Sequence, residues 1–293
     1  MSEAHGPDPT IQRRRLRSEL RKAREAANMS QREVAGAMDW SPSKLIRIES
    51  GQVNISTNDL RALLGHYGID ADRIANLIEV ARAAREPTPW SVYRDVASPE
   101  YIAFLGYESS ASVIRNFEPV LVPGLLQTED YARVVIRMLE GHNPHKIDPL
   151  VDLRGQRQEI LEREARPSLH FIMDEAVIRR VAGGHDIMRR QLRQLQTFAE
   201  YPNITIRIAS FDHGLYSCQR APYILLEFPD PEDGDILYVE NPQGEYIIRE
   251  SSPEEEDRES PVGYLGAFWE LEQIASAEDA LNLLQHAINE LTR

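Results

Sequence analysis

Apolar residues recur at spacings of three and four along the first third of the chain: Leu16, Leu20, Ala23 and Ala27; Val34, Ala35 and Met38; Leu45 and Ile48; Leu60, Leu63, Leu64 and Tyr67; Ile74, Leu77, Ile78 and Ala81. Such spacing lines one side of a helix with apolar groups, so residues 13–85 read as five helices. The segment REPTPW, with Pro87 and Pro89, interrupts the period and marks a boundary. Beyond it the short β-rich runs SLHFIM, ITIRIASF, YILLEF, DILYVE and EYIIRE alternate with helical stretches. These stretches follow Thr128, cover LVDLRGQRQEILERE and residues 185–200, and end in a pair near 262–275 and 277–291. The pattern predicts a multidomain chain with an N-terminal all-α five-helix domain and a C-terminal α+β domain. Residues 1–12, with Gly6, Pro7 and Pro9, read as a disordered lead, residues 86–97 as a linker, and 98–293 as the second domain.

Helix starts in the first domain are marked by caps. Ser30 precedes Glu33 by three residues, as in a capping box, with Met29 and Val34 placed as a hydrophobic staple. Ser41 is followed by Pro42 at the first helical position, with Trp40 and Leu45 as the staple pair. Ser56, Asp59, Ile55 and Leu60 repeat the device. Only Asp39 and Trp40 separate Met38 from Ser41, so the helix from Ser30 must turn sharply into the next, which ends at Gly51. This is a helix-turn-helix. Leu45 and Ile48 face inward on its second helix, leaving Ser43, Lys44 and Arg47 to an outer face suited to base edges and phosphates; a solvated charged face is the other reading.

Charge sharpens the division. The chain has 293 residues and a formal net charge of -14. Residues 10–50 hold ten Lys/Arg against five Asp/Glu; residues 1–85 hold 14 against 11, and the remainder 19 against 36. A local basic patch can still attract DNA, because screening limits the reach of distant acidic groups to about 8 Å at physiological salt. The stretch 227–259 carries 13 acidic residues against two arginines, and its SSPEEEDRES portion reads as a mobile loop. Arg13, Arg14, Arg15 and Arg17 are phosphate candidates at the start of the first helix, or simply solvated. Asn54 and Ser56, with the amides of the helix beginning at Thr57, offer another phosphate seat, and Ser41 offers a hydroxyl beside the recognition helix.

The stretch LRKAREAANMSQREVAGAMDWSPSKLIRIESG resembles the xenobiotic-response-element (XRE) helix-turn-helix family of phage-repressor type, over about residues 13–70. The resemblance implies that Gln31 meets a phosphate and that Ser43, Lys44 and Arg47 read bases. It also implies a structural ion pair between Arg24 and Glu49, since a bare carboxylate on a DNA-facing helix would repel phosphate. Pro42 stands where many relatives carry a polar reader, so one base contact is missing here.

The pieces FEPVLVPGLLQTEDYARVV, RGQRQEIL, DEAVIRRVAGG, MRRQLRQL, NITIRIASFDHG, APYILLEF and ILYVE resemble the C-terminal domain of antitoxin-like XRE regulators of filamentous bacteria. That resemblance implies a domain that engages a small protein partner encoded nearby, or a ligand. Arg154, Arg157, Glu175 and Glu240 lie in the matching segments as either a buried polar network or a ligand pocket. Arg189, Arg190 and Arg193 oppose Met188, Leu192 and Leu195 as a solvated face.

Catalytic readings fail on spacing. The chain has no G-x-x-x-x-G-K loop, G-x-G-x-x-G, G-x-S-x-G or H-E-x-x-H. In PDPEDGDILYVE, Gly234 would put Pro229 and Pro231 at calcium-ligand positions, which excludes that site. His142 and His145 share a loop without further ligands, and Cys218 is the one cysteine. No enzyme, cofactor or metal is expected. With no apolar run of 18 residues and no apolar leader, the expected setting is cytoplasmic. The sequence thus predicts a homodimeric regulator that binds a double-stranded DNA operator through residues 13–85 and is controlled through residues 98–293. The alternative is an antitoxin-type interaction module that sequesters a small partner and autoregulates its own operon.

Overall fold

Capped, mutually complementary ends set the helices of the first unit. The computed structural model describes residues 8–141, 143–216, 221–241, 243–249 and 260–292. Cys218, His142 and the acidic run 251–259 lie outside them. Five α-helices, α1 (Pro9–Ala26), α2 (Gln31–Ala37), α3 (Pro42–Glu49), α4 (Thr57–His66) and α5 (Ala71–Ala83), begin at Asp8, Ser30, Ser41, Ser56 and Asp70, each accepting a backbone N–H of the first turn. Part of the expected lead is helical, since Pro9 and residues 10–12 belong to α1 and Ile11 is buried; residues 1–7 lie outside the described residues. Pro9 reads as a breaker in isolation, yet at the first helical position its missing N–H costs nothing and Asp8 caps the turn.

The first four helices end alike, with a left-handed residue after the C-cap: Asn28, Asp39, Gly51 and Gly68. The next amide then reaches back to the final turn, Met29 to Arg24, Trp40 to Ala35, Gln52 to Arg47 and Ile69 to Leu64. These are Schellman closures, which satisfy orphan carbonyls and reverse the chain within two residues. Asp39 accepts the left-handed conformation without being glycine because its short polar side chain tolerates it. Inward from these turns, Leu20, Val34, Leu45, Ile48, Leu60, Leu63, Leu64 and Leu77 form one core.

The chain divides into two compact units, residues 1–91 and 92–293. The second is built on a six-stranded sheet of order β3-β2-β1-β4-β5-β6, with β1 (Val113–Glu118), β2 (Ser168–Asp174), β3 (Ile204–Ala209), β4 (Tyr223–Glu227), β5 (Ile236–Asn241) and β6 (Gly244–Arg249). Strands β1, β2 and β3 are parallel, and β4, β5 and β6 add an antiparallel meander to the other side of β1. Helices α6 (Pro99–Glu108), α7 (Glu129–Glu140), α8 (Pro144–Gln158), α9 (Glu175–Arg179), α10 (His185–Phe198), α11 (Pro261–Ile274) and α12 (Ala277–Glu290) complete the unit. One sheet face, with Phe117, Ile172, Tyr223, Leu225 and Leu237, packs on Ala267, Phe268 and Leu271 of α11. On the opposite face Tyr238 stacks on Phe104 of α6, with ring centroids 4.1 Å apart.

The central strand and α6 are absent from the sequence reading. In VIRNFE the polar Arg115 and Asn116 fall on opposite faces, so β1 shows neither alternation nor an apolar run. The fold accommodates both: Arg115 Nε donates to Glu227 Oε1 at 2.8 Å, and Asn116 Nδ2 donates to the Tyr223 carbonyl at 3.0 Å. Helix α6, PEYIAFLGYE, is apolar on nearly all sides and has no period to read. Helix α8 starts at Pro144, upstream of the run beginning at Leu150, and carries Pro149 inside it, where the proline forgoes one i→i−4 hydrogen bond.

Candidate functional site

Helix α3 is fixed by one carboxylate. Glu49, at the end of α3, receives Arg24 Nε at 2.8 Å and Nη2 at 3.2 Å from α1, and Gln31 Nε2 at 2.7 Å from α2. Arg24 Nη1 also donates to the Met29 carbonyl at 3.0 Å, at the α1 end. Three helices therefore converge on a side chain that is only 5% exposed. The hydrogen bond to Glu49 raises the Arg24 pKa, against the opposing effect of burial. Burial raises the Tyr67 hydroxyl, with the Glu49 charge adding to it. Gln31, a phosphate candidate by resemblance, here has its amide nitrogen on Glu49.

The open side of α3 is narrower than the sequence implies. Ser43 and Arg47 are exposed, and Ile46, 48% exposed, stands between them. Lys44 departs from this face: its Nζ lies 3.1 Å from Asp59 Oδ2 and 3.9 Å above the Trp40 ring. Ser41 is exposed, but its Oγ accepts the Lys44 amide at 3.3 Å as the cap. Among the described residues Arg47 has no side-chain hydrogen bond or ion pair.

The arginines of α1 divide by role. Arg13 donates from Nε to the Ala84 carbonyl at 2.7 Å and from Nη2 to that of Glu86 at 3.1 Å, closing the end of α5. Arg17 Nη1 donates to the Ser50 carbonyl at 3.0 Å, opposite the negative end of the α3 dipole. Its guanidinium fills the space above Gly51, where a Cβ would come within 2.4 Å of it. Arg14 is half-buried, and Arg15 remains exposed, as does Asn54. Ser56 Oγ caps α4 by accepting the Asp59 amide at 3.0 Å.

In the second unit, three of the four candidates come together. Buried Arg157 forms a bidentate pair with Glu108 of α6, Nη2 to Oε1 at 2.7 Å and Nε to Oε2, while Nη1 reaches Tyr101 Oη at 3.2 Å. Burial opposes its charge, but Glu108 and Tyr101 override it and hold the pKa above the ordinary value. Arg154, one turn earlier, packs with Arg157 against Gly124, where a Cβ would lie 2.1 Å from Arg154 Nη1. The turn at Pro123-Gly124 thus needs glycine for this approach. Arg154 and Arg157 both act electrostatically on Glu240 and on Glu118, at the end of β1. Glu175 belongs to another arrangement: its carboxylate accepts Phe211 N at 2.9 Å, Ser210 Oγ at 3.2 Å and Arg179 Nε at 2.9 Å. Burial opposes its charge, but these donors outweigh it and lower the pKa.

Two family models match the chain. A helix-turn-helix domain matches residues 15–77, and a domain of unknown function, DUF5753, matches residues 101–260, just over half of the chain. The chain belongs to the DUF5753 family. No curated protein and no solved structure matches it. The N-terminal helices are thereby a DNA-binding helix-turn-helix domain, and the polar cluster of Glu118, Arg154, Arg157 and Glu240 lies within the DUF5753 segment.

Sequence reasoning missed Asp59, Glu108 and Glu118. Asp59 reads as a cap-box residue, and nothing local couples it to Lys44. Glu108 and Glu118 lie in elements without a readable period. Among the described residues no group of His, Cys, Asp and Glu can hold a metal ion, and no helix is long and apolar enough to cross a membrane.

Removing Arg24 leaves a largely buried Glu49 without its cation, so Arg24→Ala should cost the helix-turn-helix unit about 3–5 kcal/mol. Replacing both partners, Arg24→Met with Glu49→Leu, should cost much less; denaturant unfolding of the two variants checks the difference. In the DUF5753 domain, burial pushes the Glu118 carboxyl up to about 8 from 4.5. Between those values the folded chain keeps a proton that the unfolded chain has lost, so this group makes stability fall as pH rises through that window. Glu118→Gln should remove that slope, and its stability relative to the parent should grow from about pH 5 to about pH 8. A difference that stays constant with pH would contradict this.

Proposed function

We propose that the chain is a sequence-specific transcriptional regulator of XRE type that binds a double-stranded DNA operator as a homodimer. Its C-terminal domain takes the controlling signal, a small protein partner or a ligand, and catalyses no reaction. The observation that carries this reading is the outward face of α3, where Ser43, Ile46 and Arg47 are exposed while Leu45 and Ile48 anchor the helix in the core.

An exposed Arg suits the O6 and N7 of guanine, and an exposed Ile suits a thymine methyl group. Lys44 enters differently. Its ion pair with half-exposed Asp59 is weak, as exposed pairs are, and a DNA phosphate can replace Asp59 as its partner. Gln31 stays on Glu49 and supports the helix from behind. Arg15 is the phosphate contact of α1, because Arg13 and Arg17 are engaged at helix ends. In a dimer the two α3 helices would meet half-sites about 34 Å apart or a multiple of it.

Arg47→Ala should weaken operator binding by about 1–3 kcal/mol and relax the sequence preference. Arg15→Ala should weaken binding to operator and random DNA alike and reduce the salt slope by about one. Both are read by titration of labelled DNA at several salt concentrations, on an operator selected from genomic fragments. Parental behaviour by both variants on both DNAs would remove α3 from the groove.

A further inference from the structure

The polar cluster of the C-terminal domain is a row. Phe117 pairs with Tyr223, and Tyr223 with Val239. One residue further along, the next row runs from Glu118 through Pro222 to Glu240, and Glu240 is directly opposite Glu245 on β6. At about 4.8 Å per strand, the three carboxylates cover about 14 Å along one sheet face. It is the face covered by α6, since Ser98, the α6 cap, donates its hydroxyl to Glu245 Oε2, and Phe104 stacks on Tyr238.

Charge along this row does not balance. Arg157 is shared with Glu108 and Tyr101, so Arg154 and an already engaged Arg157 are the cations that act on Glu118 and Glu240. Like charges directly opposite on neighbouring strands are destabilising, and the Glu240–Glu245 pair has that arrangement. A second observation is independent of the carboxylates. The Tyr238 side chain is 4% exposed, and among the described residues its hydroxyl meets no hydrogen-bonding partner. It stands two residues from Glu240 on the same face, in the field of Glu245 and Glu240. A buried hydroxyl without a partner is costly, so its retention beside an unbalanced acidic row marks a place that a donor fills. Burial first, and the Glu245 carboxylate after it, also raise the Glu240 pKa against Arg154 and Arg157.

A metal ion does not fit a row this long, and no metal-holding group of residues occurs among the described residues. An organic cation does. We propose that the DUF5753 domain of this chain binds an ammonium or guanidinium group at the row formed by Glu118, Glu240 and Glu245, with Tyr238 accepting one of its hydrogens. The cation is either a free amine or the side chain of a basic polypeptide, two sources of one chemistry. The inference deepens the regulatory reading and rests on it for its consequence at DNA, while cation binding itself is measured without DNA.

The test is calorimetric titration of the full chain at pH about 8 with agmatine, and separately with an acetylated, amidated tripeptide carrying a central arginine. Binding of either, weakened at least about tenfold by Glu240→Gln and by Glu118→Gln and severalfold by Tyr238→Phe, supports the site. The aromatic variant guards against loss of fold, and circular dichroism of all three must match the parent. Agmatine binding alone assigns a free amine, and tripeptide binding alone assigns a polypeptide side chain. No heat from either probe up to about 1 mM, or binding indifferent to all three variants, overturns the proposal. A chain that binds a probe at this row yet selects no operator keeps the site and overturns the regulatory reading.

Discussion

The outward face of α3 depends on the carboxylate of Glu49. Two short helices joined by a two-residue turn bury little apolar surface between them, and α2 and α3 have seven and eight residues. Isolated helices of that length are not stable in water. Leu45 and Ile48 give α3 its attachment to the core, but apolar contacts are non-directional and leave rotation about the helix axis loosely set. Glu49 supplies direction. With Arg24 on one side and Gln31 on the other, the end of α3 can occupy one orientation, and Ser43, Ile46 and Arg47 inherit it. The same pair neutralises a negative charge at the end of α3.

Around that fixed point, three arginines have structural work on main-chain carbonyls. Arg13 closes α5, Arg17 closes α3, and Arg85 Nη2 donates to the Ile55 carbonyl in the loop before α4. Helix C-termini carry unsatisfied carbonyls and partial negative charge, and guanidinium groups satisfy both. The cationic surface left for DNA is therefore smaller than the excess of arginine in residues 10–50, and more discriminating. Acidic residues elsewhere in the chain weaken non-specific attraction further.

The C-terminal domain shows the opposite balance. Its sheet turns on β1, which holds the parallel strands on one side and the meander on the other. Strand β1 also ends in Glu118, so the residue that closes the central strand opens the acidic row. One guanidinium, Arg157, is shared between Glu108 and that row, and Gly124 leaves space for the other, Arg154, to approach.

The sequence by itself determined the helix-turn-helix, because its signals are local. Ser30, Ser41 and Ser56 bond to amides three residues away, Gly51 takes a left-handed turn on its own account, and a stripe of leucines needs only the period of one helix. It determined five of the six strands for the same reason, from apolar runs within each. Tertiary structure decided what no window of residues contains. The partner of Lys44 lies fifteen residues away on another helix, Glu108 waits for an arginine 49 residues later, and Tyr238 reaches its acidic neighbours only through the register of two strands. Strand β1 was invisible because its polar residues, Arg115 and Asn116, are satisfied by groups more than 100 positions distant. Periodicity reports which side of an element meets the core; which charge meets which is fixed only when the elements pack.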